Sequence, residues 1–174
     1  INYADSDYVK ELAVRLPGED TSTSSTALKN TTARLETEVA SAGEGAQTVA
    51  ARLELVRNYA RLRQYDRALE IAKPLAADVK GKPEEAEVLD LTATCHIGKG
   101  DNAAAKSELE TLLKDFPQYS GRARARLNMG LASEQEGNYQ RALAEYRALA
   151  TDSPGTEEAR LATERIADLQ KLSN

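Results

Sequence analysis

Hydrophobic residues recur along most of this chain at intervals of three and four, the spacing of one face of an α-helix. One such face spans residues 5–16 and a second spans 26–42, with a polar, Ser/Thr-rich link between them. From about residue 46 the helical faces come in pairs joined by short turns, and a last face covers 156–172. The pattern predicts an all-α chain.

The paired faces repeat with a constant period of 37 residues. The positions that share this step are Ala68/Ala105/Ala142, Leu75/Leu112/Leu149, Arg63/Gly100/Gly137 and Pro117/Pro154. A fixed period between roughly 20 and 50 residues marks a stack of equivalent units, and helical spacing within each unit selects an α-solenoid of antiparallel helix pairs. We therefore predict a domain over 46–174, with repeats at about 46–82, 83–119 and 120–156 and a capping helix at 156–172.

The turn inside each repeat is predicted from its residues. Gly100 and Gly137 can adopt the left-handed conformation that ends a helix without steric penalty. The first repeat has Arg63 there, so we expect its turn to be strained or differently closed. Pro117 and Pro154 should stop the second helix of their repeats, because proline lacks a backbone donor.

The first helices also carry start signals. Pro83 is followed by two glutamates, which the helix dipole favours in a first turn. Thr156 and Ser120 can each cap a helix with a hydroxyl oxygen. These three signals predict where the later first helices begin.

Residues 1–45 do not fit the 37-residue register as clearly. Two alternatives remain open: an N-terminal helical arm with a Ser/Thr-rich link, or a degenerate repeat. The chain opens at Ile1 rather than Met, which is compatible with a leader removed ahead of it.

Composition narrows the function classes. The net charge of -5 argues against nucleic-acid binding, which needs clustered Lys and Arg, although Arg122, Arg124 and Arg126 form a short basic run that we expect on a solvated helix face. No apolar run reaches the roughly 20 residues that span a bilayer. Cys95 and His96 are the single residues of their types, too few for a zinc site. We expect both to be structural and predict neither cofactor, metal nor catalysis.

The repeat residues resemble the tetratricopeptide repeat family. The third repeat supplies Met129, Gly130, Gly137, Asn138, Tyr139, Ala142, Tyr146, Leu149 and Pro154. The second supplies Leu89, Ala93, Gly100, Asp101, Ala105, Leu109, Leu112 and Pro117, and the first Leu55, Tyr59, Leu62, Tyr65, Ala68 and Leu75. A looser resemblance, to bacterial cell-envelope proteins with such repeats, favours the periplasm or envelope over the cytoplasm.

The family resemblance implies a superhelix whose first helices line a concave groove for a partner peptide or helix. The groove positions carried over are Leu53, Arg57, Arg61, Glu87, Asp90, Thr94, Arg124, Leu127, Leu131 and Gln135. Arg57 and Arg61 are four residues apart and could bind a partner's carboxylate together. The implied function is a non-catalytic protein-interaction scaffold. The alternative is a structural module that forms homo-oligomers through helices 5–16 and 26–42.

Overall fold

The computed structural model describes residues 25–41 and 46–172, and these residues contain helices and turns without a strand. Eight helices occupy them: α1 Ser25–Ser41, α2 Ala46–Arg61, α3 Tyr65–Asp78, α4 Glu84–Lys99, α5 Asn102–Asp115, α6 Arg122–Gln135, α7 Tyr139–Asp152 and α8 Glu157–Leu172. None of these helices is both long and apolar enough to cross a bilayer. The predicted helix over 5–16 lies outside the described residues.

The helices stack in sequence order. Each helix packs against the next one, and the first helices of the repeats (α2, α4 and α6, followed by α8) also pack against one another. The second helices α3, α5 and α7 begin at Tyr65, Asn102 and Tyr139, one 37-residue step apart. The predicted all-α solenoid is confirmed.

The turn inside each repeat contains one residue in the left-handed conformation, at the position predicted from the sequence. Gly100 and Gly137 adopt φ of 82° and 75°, and Arg63 adopts 57° at the equivalent position. A left-handed conformation costs a residue with a β-carbon about 1 kcal/mol, which confirms the predicted strain. Asp101 and Asn138 then cap the second helix by accepting the N–H of the residue three positions on.

The predicted helix starts are right in two places and wrong in one. α4 begins at Glu84 directly after Pro83, and the Thr156 hydroxyl accepts the Ala159 N–H at 3.1 Å at the start of α8. Ser120 does not cap α6, because the chain makes a tight turn there and Gly121 is the N-cap residue. The prolines at 117 and 154 follow helices that end two residues earlier.

Small residues let the paired helices approach closely. Ala68, Ala105 and Ala142 are completely buried. A β-carbon on Gly130 would overlap the ring of Tyr146, which lies across α6 at that point. The close approach of the two helices of the third repeat is therefore set by Gly130 together with Ala142.

The core consists of two clusters that meet at α4. Val88, Leu91 and Cys95 of α4 join the N-terminal cluster, which also contains residues of α1, α2 and α3. Ala93 and Ile97 of the same helix join the C-terminal cluster, which extends to α8. α4 is thus shared between the two clusters, as expected of a helix inside a solenoid.

The predicted helix over 26–42 is observed as α1. Its inward residues Leu28, Thr32, Leu35 and Val39 have the same spacing as Ala68, Ala72 and Leu75 of α3 and Val79 directly after it. α1 packs on α2 of its own chain, and the Tyr59 hydroxyl donates a hydrogen bond to the Glu36 carboxylate between them. The division of the chain into an N-terminal part and a repeat domain stays a prediction.

Candidate protein-interaction surface

The ten predicted groove residues form a set that we call the first-helix face. Six of them are buried within the chain: Leu53, Asp90, Thr94, Arg124, Leu127 and Leu131. The other four, namely Arg57, Arg61, Glu87 and Gln135, are half-buried. Within the chain, contacts between successive first helices therefore take up most of the side chains that the sequence assigned to a partner.

Arg57 already has a carboxylate partner. Its guanidinium pairs with Glu87 on the next first helix, and about a third of each side chain is exposed. Arg61 lies one turn further along α2 and has no ion pair in the described part of the chain. The two arginines are therefore not both free to bind a partner's carboxylate, because Arg57 is paired with Glu87 of the next repeat.

A buried ionic cluster joins α4 to α6. Arg124 donates to one carboxylate oxygen of Asp90, and the Tyr119 hydroxyl donates to the same oxygen at 2.9 Å. Burial raises the pKa of Asp90, and Arg124 opposes that rise. The two helices are thus tied together by charged groups away from water.

Several polar atoms of α4 and α6 lack a hydrogen-bond partner in the described structure, although water cannot reach them. They are Asp90 Oδ1, Arg124 Nε, Asn128 Oδ1 and Gln135 Nε2. The Asn128 amide does donate weakly to the Thr94 hydroxyl at 3.4 Å. An unsatisfied buried polar atom costs roughly 1–3 kcal/mol, so these atoms lower the stability of the contact between α4 and α6.

A second buried ionic cluster joins α6 to α8. Arg165 binds both oxygens of the Glu134 carboxylate, and the Tyr146 hydroxyl donates to it at 2.9 Å. Sequence reasoning missed both clusters. The available signal was a pair of opposite charges on successive first helices, 34 residues apart for Asp90 and Arg124 and 31 apart for Glu134 and Arg165.

Comparison with known proteins identifies the repeats. The sequence model described as "Tetratricopeptide repeat" matches residues 93–156, which include the second half of α4, α5, α6 and α7. This part of the chain therefore matches the tetratricopeptide repeat family, and the stacked helix pairs agree with that match. Domains of this family in general mediate protein–protein interaction and are not enzymes. No curated protein matches the chain.

The basic run of the chain, Arg122, Arg124 and Arg126, lies against the chain's own helices. Arg122 donates to the carbonyl oxygens of Leu113 and Phe116, and Arg126 pairs with glutamate and aspartate side chains of α7. With Arg124 buried against Asp90, all three arginines bind acceptors within the chain. The expectation of a solvated face is wrong, because each arginine reaches a neighbouring helix or loop.

The Cys95 and His96 side chains are built into the second repeat. Cys95 is a free, fully buried thiol, and burial raises its pKa to about 12, which opposes formation of a reactive thiolate. The His96 Nδ1 atom lies 3.4 Å from Asp101 Oδ2, and its Nε2 atom lies 3.9 Å from Glu108 Oε1. Among residues 25–41 and 46–172, no group of three His, Cys, Asp or Glu residues could hold a metal ion.

Proposed function

We propose that this protein is a non-catalytic scaffold that binds a peptide or helix of another protein on its first-helix face. The observation that supports this most is that four polar side chains of the face stay partly exposed on successive first helices, namely Arg57, Arg61, Glu87 and Gln135. A peptide backbone offers one donor and one acceptor at nearly every residue, so it can pair with the guanidinium donors as well as with the carboxylate of Glu87.

The rigidity of the face favours such binding. Ionic clusters around Asp90 and Glu134 hold successive first helices together. A surface that is already ordered loses little conformational entropy when a partner docks, and more of the contact energy appears as affinity.

The Arg57–Glu87 pair gives the face a built-in competitor. Glu87 occupies the guanidinium that a partner carboxylate would need, whereas Arg61 remains available at the edge of the same helix. A partner with an acidic side chain would bind Arg61 first and would displace Glu87 from Arg57 only if its own carboxylate were better placed.

The experiment is a selection of peptides from a random library on the intact protein, followed by calorimetry with variants. Arg61→Glu should weaken the selected peptide at least about tenfold, which corresponds to roughly 1.4 kcal/mol. Glu87→Gln should strengthen it, because Arg57 is released. Arg147→Glu is the matched control, since Arg147 is an exposed α7 arginine without an ion pair in the described residues. Equal affinities for all three variants would reject the first-helix face as the binding site.

Self-assembly through the N-terminal helices is the competing proposal. In the structure α1 packs on α2 of the same chain, and residues 5–16 lie outside the described residues. Light scattering coupled to size exclusion separates the two: a dimer that persists at micromolar concentration supports self-assembly, and a monomer argues against it. A bacterial envelope location stays a prediction from the sequence.

A further inference from the structure

A second surface, separate from the first-helix face, lies where the turn of the first repeat meets the end of α4. An open cleft of about 490 Å³ there is lined by Arg63, Gln64, Tyr65, Asp66, Arg67 and Lys99. We call it the turn cleft. Its volume is within the range of roughly 300–1,000 Å³ of small-ligand sites, which is enough for a few side chains of a partner.

The lining of the turn cleft is predominantly cationic. It contains three basic side chains and one carboxylate. Lys99 pairs with Asp66, and the Arg67 guanidinium lies 5.7 Å from the centre of the Tyr59 ring. Arg63 is exposed and has no ion pair in the described part of the chain. One positive charge is thus uncompensated and two others are held in place around it.

The equivalent turns of the other repeats have a different character. They carry glycine followed by an oxygen-bearing side chain, in Gly100-Asp101 and Gly137-Asn138. The first repeat instead places Arg63 in a left-handed conformation that glycine would adopt more readily. The cationic turn is therefore specific to one repeat and does not follow from the repeat pattern.

The first repeat as a whole is also positively charged. Residues 46–82 contain eight lysines and arginines against four acidic residues, whereas residues 83–119 contain three against eight. In a protein of net charge -5, the first repeat thus carries an excess of positive charge. This distribution attracts an acidic partner to that repeat and keeps a continuous polyanion away from the repeat beside it.

We propose that the turn cleft binds a carboxylate-rich segment of an acidic protein partner. Arg63 supplies the open contact and Arg67 the adjacent one, and a partner carboxylate replaces Asp66 on Lys99. Nucleic acid fits less well, because its phosphates extend in an unbroken row and would meet the acidic second repeat.

The probe is a fluorescently labelled peptide of about ten glutamates, measured by anisotropy with the intact protein at low salt. A Gly-Ser peptide of equal length is the negative control. Binding should weaken when salt is raised, because exposed charges are screened. Arg63→Gly should weaken binding about tenfold. The thermal midpoint should stay unchanged or rise, because glycine adopts the left-handed conformation of this turn more readily than arginine does.

Two further variants complete the test. Asp66→Asn should strengthen glutamate-peptide binding severalfold, because Lys99 is released. Arg147→Gln, an exposed arginine of α7 in the third repeat, should leave it unchanged.

Three results would overturn the proposal: affinity that Arg63→Gly does not reduce, equally tight binding of a single-stranded oligonucleotide, or self-association of the wild type that Arg63→Gly abolishes, which would make a second copy the occupant. Peptides selected for the first-helix face should bind Arg63→Gly normally, so failure at one surface leaves the other testable.

Discussion

Removing the Arg165 guanidinium should weaken the packing of the C-terminal helix α8 on α6. In Arg165→Leu the Glu134 carboxylate, which has no exposed surface, would keep only the Tyr146 hydroxyl at 2.9 Å as a partner. Breaking a buried pair in this way typically costs about 3–5 kcal/mol, because a charge is left without compensation.

We therefore expect the unfolding free energy of Arg165→Leu to fall by about 3–4 kcal/mol at pH 7. Urea denaturation measures the loss, and hydrogen exchange should place it in α6 and α8. The matched control is Arg160→Leu on the same helix, where more than half of the arginine side chain is exposed and the expected loss is small because solvent screens the ion pair.

A second substitution separates charge from packing. Adding Glu134→Gln to Arg165→Leu removes the uncompensated charge, so the double variant should recover about half of the loss. A fall of less than about 1 kcal/mol in Arg165→Leu alone, or no recovery in the double variant, would show that the ionic cluster does not hold α8 in place.

Three further predictions concern single side chains. Gly130→Ala should lower the unfolding free energy by about 1–3 kcal/mol, because its β-carbon overlaps the Tyr146 ring; an unchanged urea midpoint would contradict this. Burial raises the pKa of Glu108 to about 7, so the folded state favours its protonated form, and this stabilisation is fully present below about pH 4.5 and lost as the pH rises through 7. Glu108→Gln should accordingly be more stable than the wild type by up to about 3 kcal/mol at pH 8 and nearly equal at pH 4.5, and parallel pH profiles would refute the assignment. Burial raises the pKa of Cys95 to about 12, so the thiol should react with Ellman's reagent in denaturant and not in the native protein; rapid native labelling would contradict it.

The period of the chain made its fold predictable. Helix ends, turns and close contacts recur every 37 residues, and each depends on a few neighbouring residues, such as Gly137 in a turn or Pro154 after a helix. Ser120 failed as a predicted cap because Gly121 ended the preceding turn one residue later. Local chemistry therefore sufficed for the architecture and left an error of about one or two residues at one boundary.

The candidate surface was less predictable, because side-chain burial depends on helices distant in the sequence. Arg124 and Arg57 look alike as groove residues, yet Arg124 is buried against Asp90 and Arg57 remains partly exposed beside Glu87. Their partners lie 34 and 30 residues away. Helical periodicity identifies the face of a residue but not the charge that a neighbouring repeat places opposite it.

α4 gives the stack mechanical continuity. Ala93 and Cys95 stand two residues apart and belong to different cores, so displacement of this helix along its axis disturbs packing on both sides at once. A force applied to one end of the stack would therefore reach the other end through α4, the helix that contacts both clusters. Cutting the chain at α4 would leave two fragments, each with apolar core residues exposed to water.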